Sequence, residues 1–154
     1  SSSSLHPNCP MQVMSKANSR LLIGLQSPDT LESLQPDMDA LIHLTPHVGA
    51  DGFFVFAVKP GSDPVTTESR MFCPVIGVPV VPVSGNAHGM LGVYMLSNGL
   101  LTAANGKASF VGHQGRFVDR PGTVEVEVTA SGKRATSVCV AGDATIVYQA
   151  EIEL

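Results

Sequence analysis

The chain has 154 residues, of which 44% are apolar and only 14% charged, and its formal net charge is −4 at pH 7. This length fits one ordinary domain, or one half of a larger body whose other half covers apolar surface. The basic residues are few and do not cluster, which argues against a nucleic-acid or anionic-membrane partner. No apolar run approaches the roughly 18 residues that span a bilayer. The start also lacks a leader-peptide pattern, so we predict a cytoplasmic protein.

The amino-terminal residues and the cysteines predict no chemistry of their own. Residues 1–10, SSSSLHPNCP, resemble a linker or tag-like start, and we expect the domain to occupy residues 11–154. Cys9, Cys73 and Cys139 are odd in number and lack the spacing of a zinc site. We expect three reduced thiols, with Cys73 and Cys139 in strands of the core.

The first half of the domain predicts one helix between strands. A strand is expected to end over residues 20–25, where Ser27-Pro28-Asp29 breaks it. Apolar residues at helical spacing then predict a helix from Pro36 to Leu44, which Thr45-Pro46 should end. Two further strands are predicted by GFFVFAVKP, residues 52–60, and by SRMFCPVI, residues 69–76, where Pro74 indicates a strand end or a bulge.

The second half predicts an antiparallel set of strands. Its segments are ASFVGHQG, TVEVEVTASGKRATSVCVAG and ATIVYQAEIEL. Within the second segment, Ser131-Gly132-Lys133 predicts a hairpin turn. Glu125 and Glu127 alternate with valines there, which indicates a half-exposed strand and not an acid–base pair.

Between these strands, NAHGMLGVYML at residues 86–96 predicts a helix with no charged residue on any face. A helix that is apolar all round must be surrounded by other elements. One such helix and six or more strands predict the α+β class, with a mostly antiparallel curved sheet or barrel wrapped around one central apolar helix.

The turn into this helix is the first candidate site. In PVVPVSGNAHGML, residues 79–91, a buried-looking strand ends at a proline and Ser84 is a natural N-cap. The amides of Gly85, Asn86, Ala87 and His88 then form the first helical turn, where a carboxylate or phosphate can bind. The alternative is a turn that only caps its own helix.

Two motifs in the chain resemble the phenazine-biosynthesis PhzF-like isomerases. The stretch CPVIGVPVVPVSGNAHGMLGVYML is similar to the family pattern F-x-P-x-x-G-[IV]-x-E-D-P-[AV]-[ST]-G-[SN]-A. Downstream, GHQGRFVDRPGTVEVEV is similar to Q-G-x-x-x-x-R-x-G-x-[IV]-x-V. The resemblance runs from about Met11 to Leu154 and identifies a carboxy-terminal lobe.

The resemblance implies a fold of two similar lobes, shared with diaminopimelate epimerase, in which each sheet wraps a central helix. The active site would lie in the cleft between the lobes. A glutamate of the amino-terminal lobe would shuttle a proton, assisted by a histidine of that lobe, in a cofactor-free isomerisation or epimerisation of a small amino or hydroxy acid. This lobe would supply an acidic pair before a proline and the polar residue of the Gly-[Ser/Asn]-Ala turn.

Carried over onto this sequence, the turn matches the family and the acids do not. Pro82, Ser84, Gly85, Asn86 and Ala87 fit the motif. Val80 and Val81 stand where the family has Glu-Asp, with Val81 at the family's acid position. Valine cannot carry a proton, and loss of that group removes acid–base help of about 10²- to 10⁴-fold. We therefore expect no intact catalytic residue.

Other histidines and charged residues have both a functional and a structural interpretation. His88 could face the cleft and contact a ligand, or pack within the turn and bond a backbone carbonyl. Arg116, beside His113 and Gln114, could pair with a substrate carboxylate or simply lie over the surface.

His43 and His47 have metal-binding spacing, but Pro46 lies between them and no carboxylate completes the set. We therefore predict no metal site. Cys73 could transfer protons, as in related epimerase folds, but a buried structural thiol fits its strand better. Asp37 and Asp39 are interpreted as carboxylates of the first helical turn.

We thus predict a PhzF-like isomerase lobe that is inactive alone and binds a small carboxylate at Ser84 to His88. It needs no cofactor. Its expected partner is a second lobe or another copy of the chain, as in a dimer, and neither nucleic acid nor a membrane. The alternative is a pseudoenzyme that kept the fold as a non-catalytic binding or interaction module.

Overall fold

The computed structural model describes residues 4–15 and 18–152. Within these ranges the chain forms three α-helices, α1 to α3, and eight strands, β1 to β8. Their bounds are β1 Gln12–Met14, β2 Arg20–Leu25, α1 Pro28–Glu32, α2 Met38–Val48, β3 Phe53–Val58, β4 Thr66–Cys73, β5 Val78–Val81, α3 Gly85–Ser97, β6 Lys107–Gln114, β7 Gly122–Ser131 and β8 Arg134–Ala141.

All eight strands belong to one mixed sheet, which curls into a half-barrel. Its order is β1-β2-β3-β4-β6-β7-β8, and β5 pairs with β4 off this path. The pairs β2/β3 and β4/β6 are parallel, and the other pairs are antiparallel. Two strands share one side of β4. Its first half, Thr66 to Ser69, pairs with β6, and its second half pairs with β5 near Met71 and Cys73. The predicted α+β class with a mostly antiparallel curved sheet is confirmed.

Two apolar clusters lie on the two faces of this sheet. One cluster contains Leu91, Tyr94 and Met95 of α3, together with inward side chains of β3, β4, β6 and β7. The other joins Phe53, Phe72 and Leu31, where α1 and α2 cover the opposite face. Because side chains alternate along a strand, neighbouring residues of β4 serve different clusters.

Helix α3 packs closely on β6, β7 and β8 because it presents glycines to them. A methyl group added at Gly92 would lie 2.9 Å from Cγ2 of Val128 and 3.0 Å from Cγ1 of Val126. At Gly89, by contrast, the nearest atoms would be 3.6 Å away, on Val138 and Val140 of β8. Of these two helix glycines, Gly92 therefore makes the closer contact with the sheet.

The predicted helix Pro36–Leu44 is wrong at both ends. Helix α2 begins at Met38, with Asp37 as N-cap accepting a hydrogen bond from Ala40 N, and runs on through Pro46 to Val48. A proline removes one backbone donor. Beside it the Thr45 hydroxyl donates to Leu41 O at 2.8 Å, and Gly49 N still donates to Thr45 O at 3.1 Å, which closes the last turn. Gly49, with a φ of 67°, ends the helix.

Several strand predictions also need correction. Strand β4 begins earlier than residue 69 and stops at Cys73, where a 3-10 turn, Pro74–Ile76, follows. The segment 144–152 forms no strand, and residues 153–154 lie outside the described residues. Cys73 is buried as predicted, but Cys139 is exposed because it lies on β8 at the sheet edge.

The start of the chain packs against the sheet instead of forming a free linker. Leu5 pairs with Leu25, His6 N donates to Gly24 O at 2.9 Å, and Cys9 is 6% exposed. Residues 1–3 lie outside the described residues, and the expected domain division at residue 11 stays a prediction. Within the described ranges, no helix is both long enough and apolar enough to cross a membrane.

The two helix glycines predict opposite effects on stability. Gly89→Ala should stabilise the protein by about 0.5–1 kcal/mol, because alanine has the higher helix propensity and the added methyl group fits. Gly92→Ala should destabilise it by about 1–3 kcal/mol, because the methyl group meets two stiff valines. Urea denaturation measures the free energy of unfolding of both variants. If both substitutions changed it in the same direction and by the same amount, the packing described here would be contradicted.

Candidate functional site

The candidate site is the turn that joins β5 to α3. The Ser84 hydroxyl accepts a hydrogen bond from Ala87 N at 3.3 Å, and Ser84 O accepts from His88 N at 3.2 Å. Ser84 is therefore the N-cap, as predicted. Amides of a first helical turn have no acceptor within the helix. Among the described residues, those of Gly85 and Asn86 have no hydrogen-bond partner, so they are the donors available to a ligand.

A buried glutamine side chain holds this turn in place. Gln114, at the end of β6, is 1% exposed. Its Nε2 donates to Val81 O at 2.7 Å, and its Oε1 accepts from Ser84 N at 3.1 Å. One side-chain amide thus satisfies backbone groups on both sides of the Pro82-Val83 corner, which fixes the entry into α3.

Glycines of the second motif close around the same corner. Gly115 has a φ of 89°, and a Cβ there would lie 2.8 Å from Pro82 O. At Gly122 a Cβ would lie 2.6 Å from Cγ2 of Val83. Both positions therefore require glycine because the turn approaches so closely. Between them Arg120 N donates to Gly115 O at 3.1 Å, which closes the loop that carries the Arg120 side chain.

His88 lies inside the fold and does not face a cleft. It is fully buried, and its ring lies 5.2 Å from that of Phe54 in an edge-to-face arrangement. Its Nδ1 donates to Ser84 O at 2.8 Å, because a carbonyl can only accept, and Nε2 is 3.4 Å from Ser69 Oγ. Of the two interpretations of His88, this geometry matches packing within the turn. Burial lowers the pKa of His88 below its ordinary 6.5, although the bond to Ser84 acts in the opposite direction.

The two valines at the family's acidic positions fill space on opposite sides of the sheet. Val81 packs against the cluster around α3, whereas Val80 packs against the cluster that includes Phe117. Both are half-buried, while the preceding Val78 and Pro79 of β5 are exposed, so the strand is less buried than predicted. A proton carrier is absent at these two positions, and their side chains serve packing.

An open cavity of about 630 Å³ lies beside the turn. It is lined by Pro82, Val83, Arg120, Pro121 and Thr145. Arg120 is exposed and carries a permanent positive charge. The cavity therefore holds a guanidinium-bearing residue beside Pro82 and Val83, the two residues that precede the N-cap of α3.

The remaining sequence candidates fall elsewhere. Arg116 contacts Glu32 at 3.4 Å and lies 4.5 Å above the ring of Phe117, away from the turn. His47 Nδ1 bonds His43 O at 2.9 Å. In the part of the chain that the structure describes, no group of three or more His, Cys, Asp or Glu residues is placed to hold a metal ion.

Sequence reasoning missed the roles of Gln114, Gly122 and Arg120 at the turn. All three stand in the motif Q-G-x-x-x-x-R-x-G, so the signal was present. The contacts between this motif and the β5–α3 turn span some 30 positions of sequence, as between Ser84 and Gln114. Only the sheet pairing brings them together.

Comparison with solved structures shows which class of fold this is. The chain is similar to a phenazine biosynthesis protein of the PhzF family from Bacillus anthracis, with a TM-score of 0.68 and 18% identity. The superposition covers 90% of this chain and 50% of that protein. It is also similar to a protein described as a predicted epimerase from Pseudomonas aeruginosa, with a TM-score of 0.62 and 26% identity. That superposition covers 97% of this chain and 49% of that protein. The chain thus has the fold of half a PhzF-like protein.

Sequence comparison shows the family. The chain matches PhzC-PhzF, described as phenazine biosynthesis-like protein, over residues 1–150, and it belongs to this family. It is 35% identical over 145 residues to the uncharacterized isomerase YddE of Salmonella typhimurium, covering 94% of this chain and 48% of that protein. An uncharacterized isomerase of Clostridium acetobutylicum is 36% identical over 152 residues, covering 99% and 50%. The chain therefore spans about half the length of the curated relatives it matches.

The role of Gln114 predicts a large and local effect of its removal. Gln114→Leu should destabilise the protein by about 2–4 kcal/mol, because Val81 O and Ser84 N both lose a buried partner. Gln149→Leu, in the exposed tail, is the matched control and should change stability by less than about 0.5 kcal/mol. Denaturation measures both, and amide chemical shifts of the Gln114 variant should change most between residues 81 and 88.

The burial of His88 predicts loss of stability in acid. The unfolded state takes up a proton at an ordinary pKa of 6.5, whereas the folded state takes it up only at lower pH. The unfolded state therefore binds more protons as pH falls below 6.5, and the free energy of unfolding decreases there. His88→Asn, whose amide can still donate to Ser84 O, should weaken this dependence.

The measurement is urea denaturation at about pH 7.5 and pH 5. His43→Asn, at an exposed position of α2, serves as the control and should keep the dependence of the unchanged chain. If the His88 and His43 variants respond identically to acid, His88 is not the group that titrates.

Proposed function

We propose that this chain is the carboxy-terminal lobe of a PhzF-like isomerase, and that its turn at Ser84 to His88 holds the carboxylate of a small amino or hydroxy acid. The amides of Gly85 and Asn86 donate to that carboxylate, and Arg120 attracts it. The observation that carries this proposal is the preserved turn with two amides still available beside an open cavity. Family membership and the isomerase names of the relatives support the reaction class.

The same lobe does not move a proton by itself in this proposal. A general acid–base group contributes about 10²- to 10⁴-fold, and Val80 and Val81 supply none. The family's glutamate and assisting histidine would come from the other lobe, as the resemblance implies. Binding of the carboxylate and transfer of the proton are thus separate tasks, and only the first belongs to this chain.

A second candidate is an interaction module that keeps the fold without catalysis. Large apolar side chains are exposed near β5 and α2: Ile42, Leu44, Val75, Ile76 and Val78 are each 39% to 57% exposed. A partner lobe or a second copy of the chain would cover this surface. Sedimentation at rising concentration should show self-association; a strict monomer at high concentration would count against this surface being an interface. The cytoplasmic location stays a prediction.

Carboxylate binding is tested by amide chemical-shift titration with cyclic amino acids, aromatic carboxylates and phosphate. We expect saturable shifts at Gly85 and Asn86, with Kd in the range of about 1 mM. Arg120→Gln should weaken binding about tenfold because a charge-assisted contact is lost. Arg134→Gln, on the exposed edge strand β8, should not. Absence of shifts at these two amides would leave the turn as a helix cap and favour the interaction module.

The isomerase assignment is tested by restoring the acids. The variant Val80→Glu with Val81→Asp, joined to the amino-terminal half of a relative, should exchange substrate protons with deuterated water. Val80→Gln with Val81→Asn is the matched control, since it has similar size and polarity but no proton carrier. Equal exchange by both would contradict the role given to the acidic pair, and exchange by neither on any candidate substrate would sink the isomerase proposal.

A further inference from the structure

A buried carboxylate lies on the sheet face that is turned away from α3. Glu68 follows Thr67 and precedes Ser69 on β4. Ser69 reaches His88 of α3, so alternation along the strand points the Glu68 side chain to the opposite face. On the neighbouring strand β6, Gly112 lies against His88 whereas His113 lines the same cavity as Glu68.

Glu68 is 5% exposed, and one of its oxygens has no hydrogen-bond donor. Oε2 lies 3.5 Å from Lys59 Nζ. Oε1 lies 4.0 Å from Arg116 Nε, which is too long for a hydrogen bond, and it has no other partner among the described residues. A buried carboxylate oxygen without a donor is costly, which makes it an acceptor for a ligand.

Glu68 lines an open pocket of about 320 Å³. The pocket is lined by Lys59, Glu68, His113, Arg116, Gly122 and Thr123, among others. It meets the β5–α3 turn through Gln114, whose side-chain amide is already bonded to Val81 and Ser84, and through Gly122, which lies against Val83. It also shares Pro121 with the cavity at the turn, but its charged residues Lys59, Glu68 and Arg116 do not line that cavity. The pocket and the candidate carboxylate site are therefore different places on the chain.

The charges around the pocket indicate what fits. Glu68 offers a buried acceptor to a cationic donor. Lys59 and Arg116, whose side chains are 39% and 52% exposed, offer donors at the mouth of the pocket. A simple cation would meet these two positive groups, and a simple anion would meet Glu68. A molecule with both charges avoids both repulsions.

We propose that this pocket binds a free α-amino acid, with its ammonium group on Glu68 Oε1 and its carboxylate on Lys59 and Arg116. The ammonium supplies the donor that the buried oxygen lacks, and the carboxylate replaces water on two half-exposed cations. This site is independent of the carboxylate site at the turn, and it stands or falls separately.

The test compares three ligands of nearly equal size by amide chemical-shift titration of the full chain. L-alanine carries both charges, L-lactate lacks the ammonium group and L-alaninamide lacks the carboxylate. L-alanine should give saturable shifts at His113, Gly122 and Thr123. The other two ligands should bind there about tenfold more weakly, since each loses one charge-assisted contact.

Two variants assign the contacts. Glu68→Gln should weaken L-alanine about tenfold and remove its advantage over L-lactate. Lys59→Gln, at the pocket mouth, should remove its advantage over L-alaninamide and should fold even if the Glu68 variant does not. Glu127→Gln is the matched control, because Glu127 also pairs with a lysine at a β-strand, Lys107, but on the exposed surface; it should leave binding unchanged.

Because Gly122 lies against Val83 at the turn, His113 and Thr123 are the amides that report the pocket, and Gly85 and Asn86 report the turn. Shifts at Gly85 and Asn86 alone would support the carboxylate site and overturn the amino-acid pocket. Shifts at His113 and Thr123 alone would do the reverse. No saturable shift at His113 and Thr123 up to about 0.1 M L-alanine, or equal binding of all three ligands, would overturn the proposal.

Discussion

The side-chain amide of Gln114 is the contact on which the candidate site depends. It accepts from Ser84 N and donates to Val81 O, so it bridges the last residue of β5 and the N-cap of α3. Without this bridge, two backbone groups in a buried corner would lack partners. The glycines at 115 and 122 then allow the corner to sit directly on the second motif. The direction in which the first amides of α3 point is thus fixed by a strand that comes later in the chain.

Local patterns were sufficient for much of the fold. Alternation of glutamate and valine predicted β7, the Ser-Gly-Lys turn predicted its hairpin with β8, and the uncharged segment at 86–96 predicted α3. Local sequence patterns gave the wrong prediction where contacts between distant parts of the chain determine the structure. Pro46 stays within α2, whose last turn is closed by the hydrogen bond from Gly49 N to Thr45 O. The apolar segment at 144–152 has strand composition but gains no partner, since composition does not specify pairing.

The candidate site was only partly predictable, for the same reason. Ser84 as N-cap follows from its position before the helix, and the family motif marks the acids as replaced. Alternation along a strand places Val80 and Val81 on different faces, but which apolar cluster each one joins depends on the strands and helices around β5. Glu68 gave no sequence signal. In the sequence TTESR, a single acid looks like a surface residue. Only the structure shows that Glu68 lies between Ala57 of β3 and His113 of β6.

The packing of Val80 and Val81 makes the exchange of the acids hard to reverse. Each valine now contributes to an apolar cluster, and each on a different side of the sheet. A carboxylate placed at either position would lower stability, since a half-buried charge without a partner disfavours folding. Restoring both acids would therefore require compensating changes in two separate apolar clusters, one on each side of the sheet.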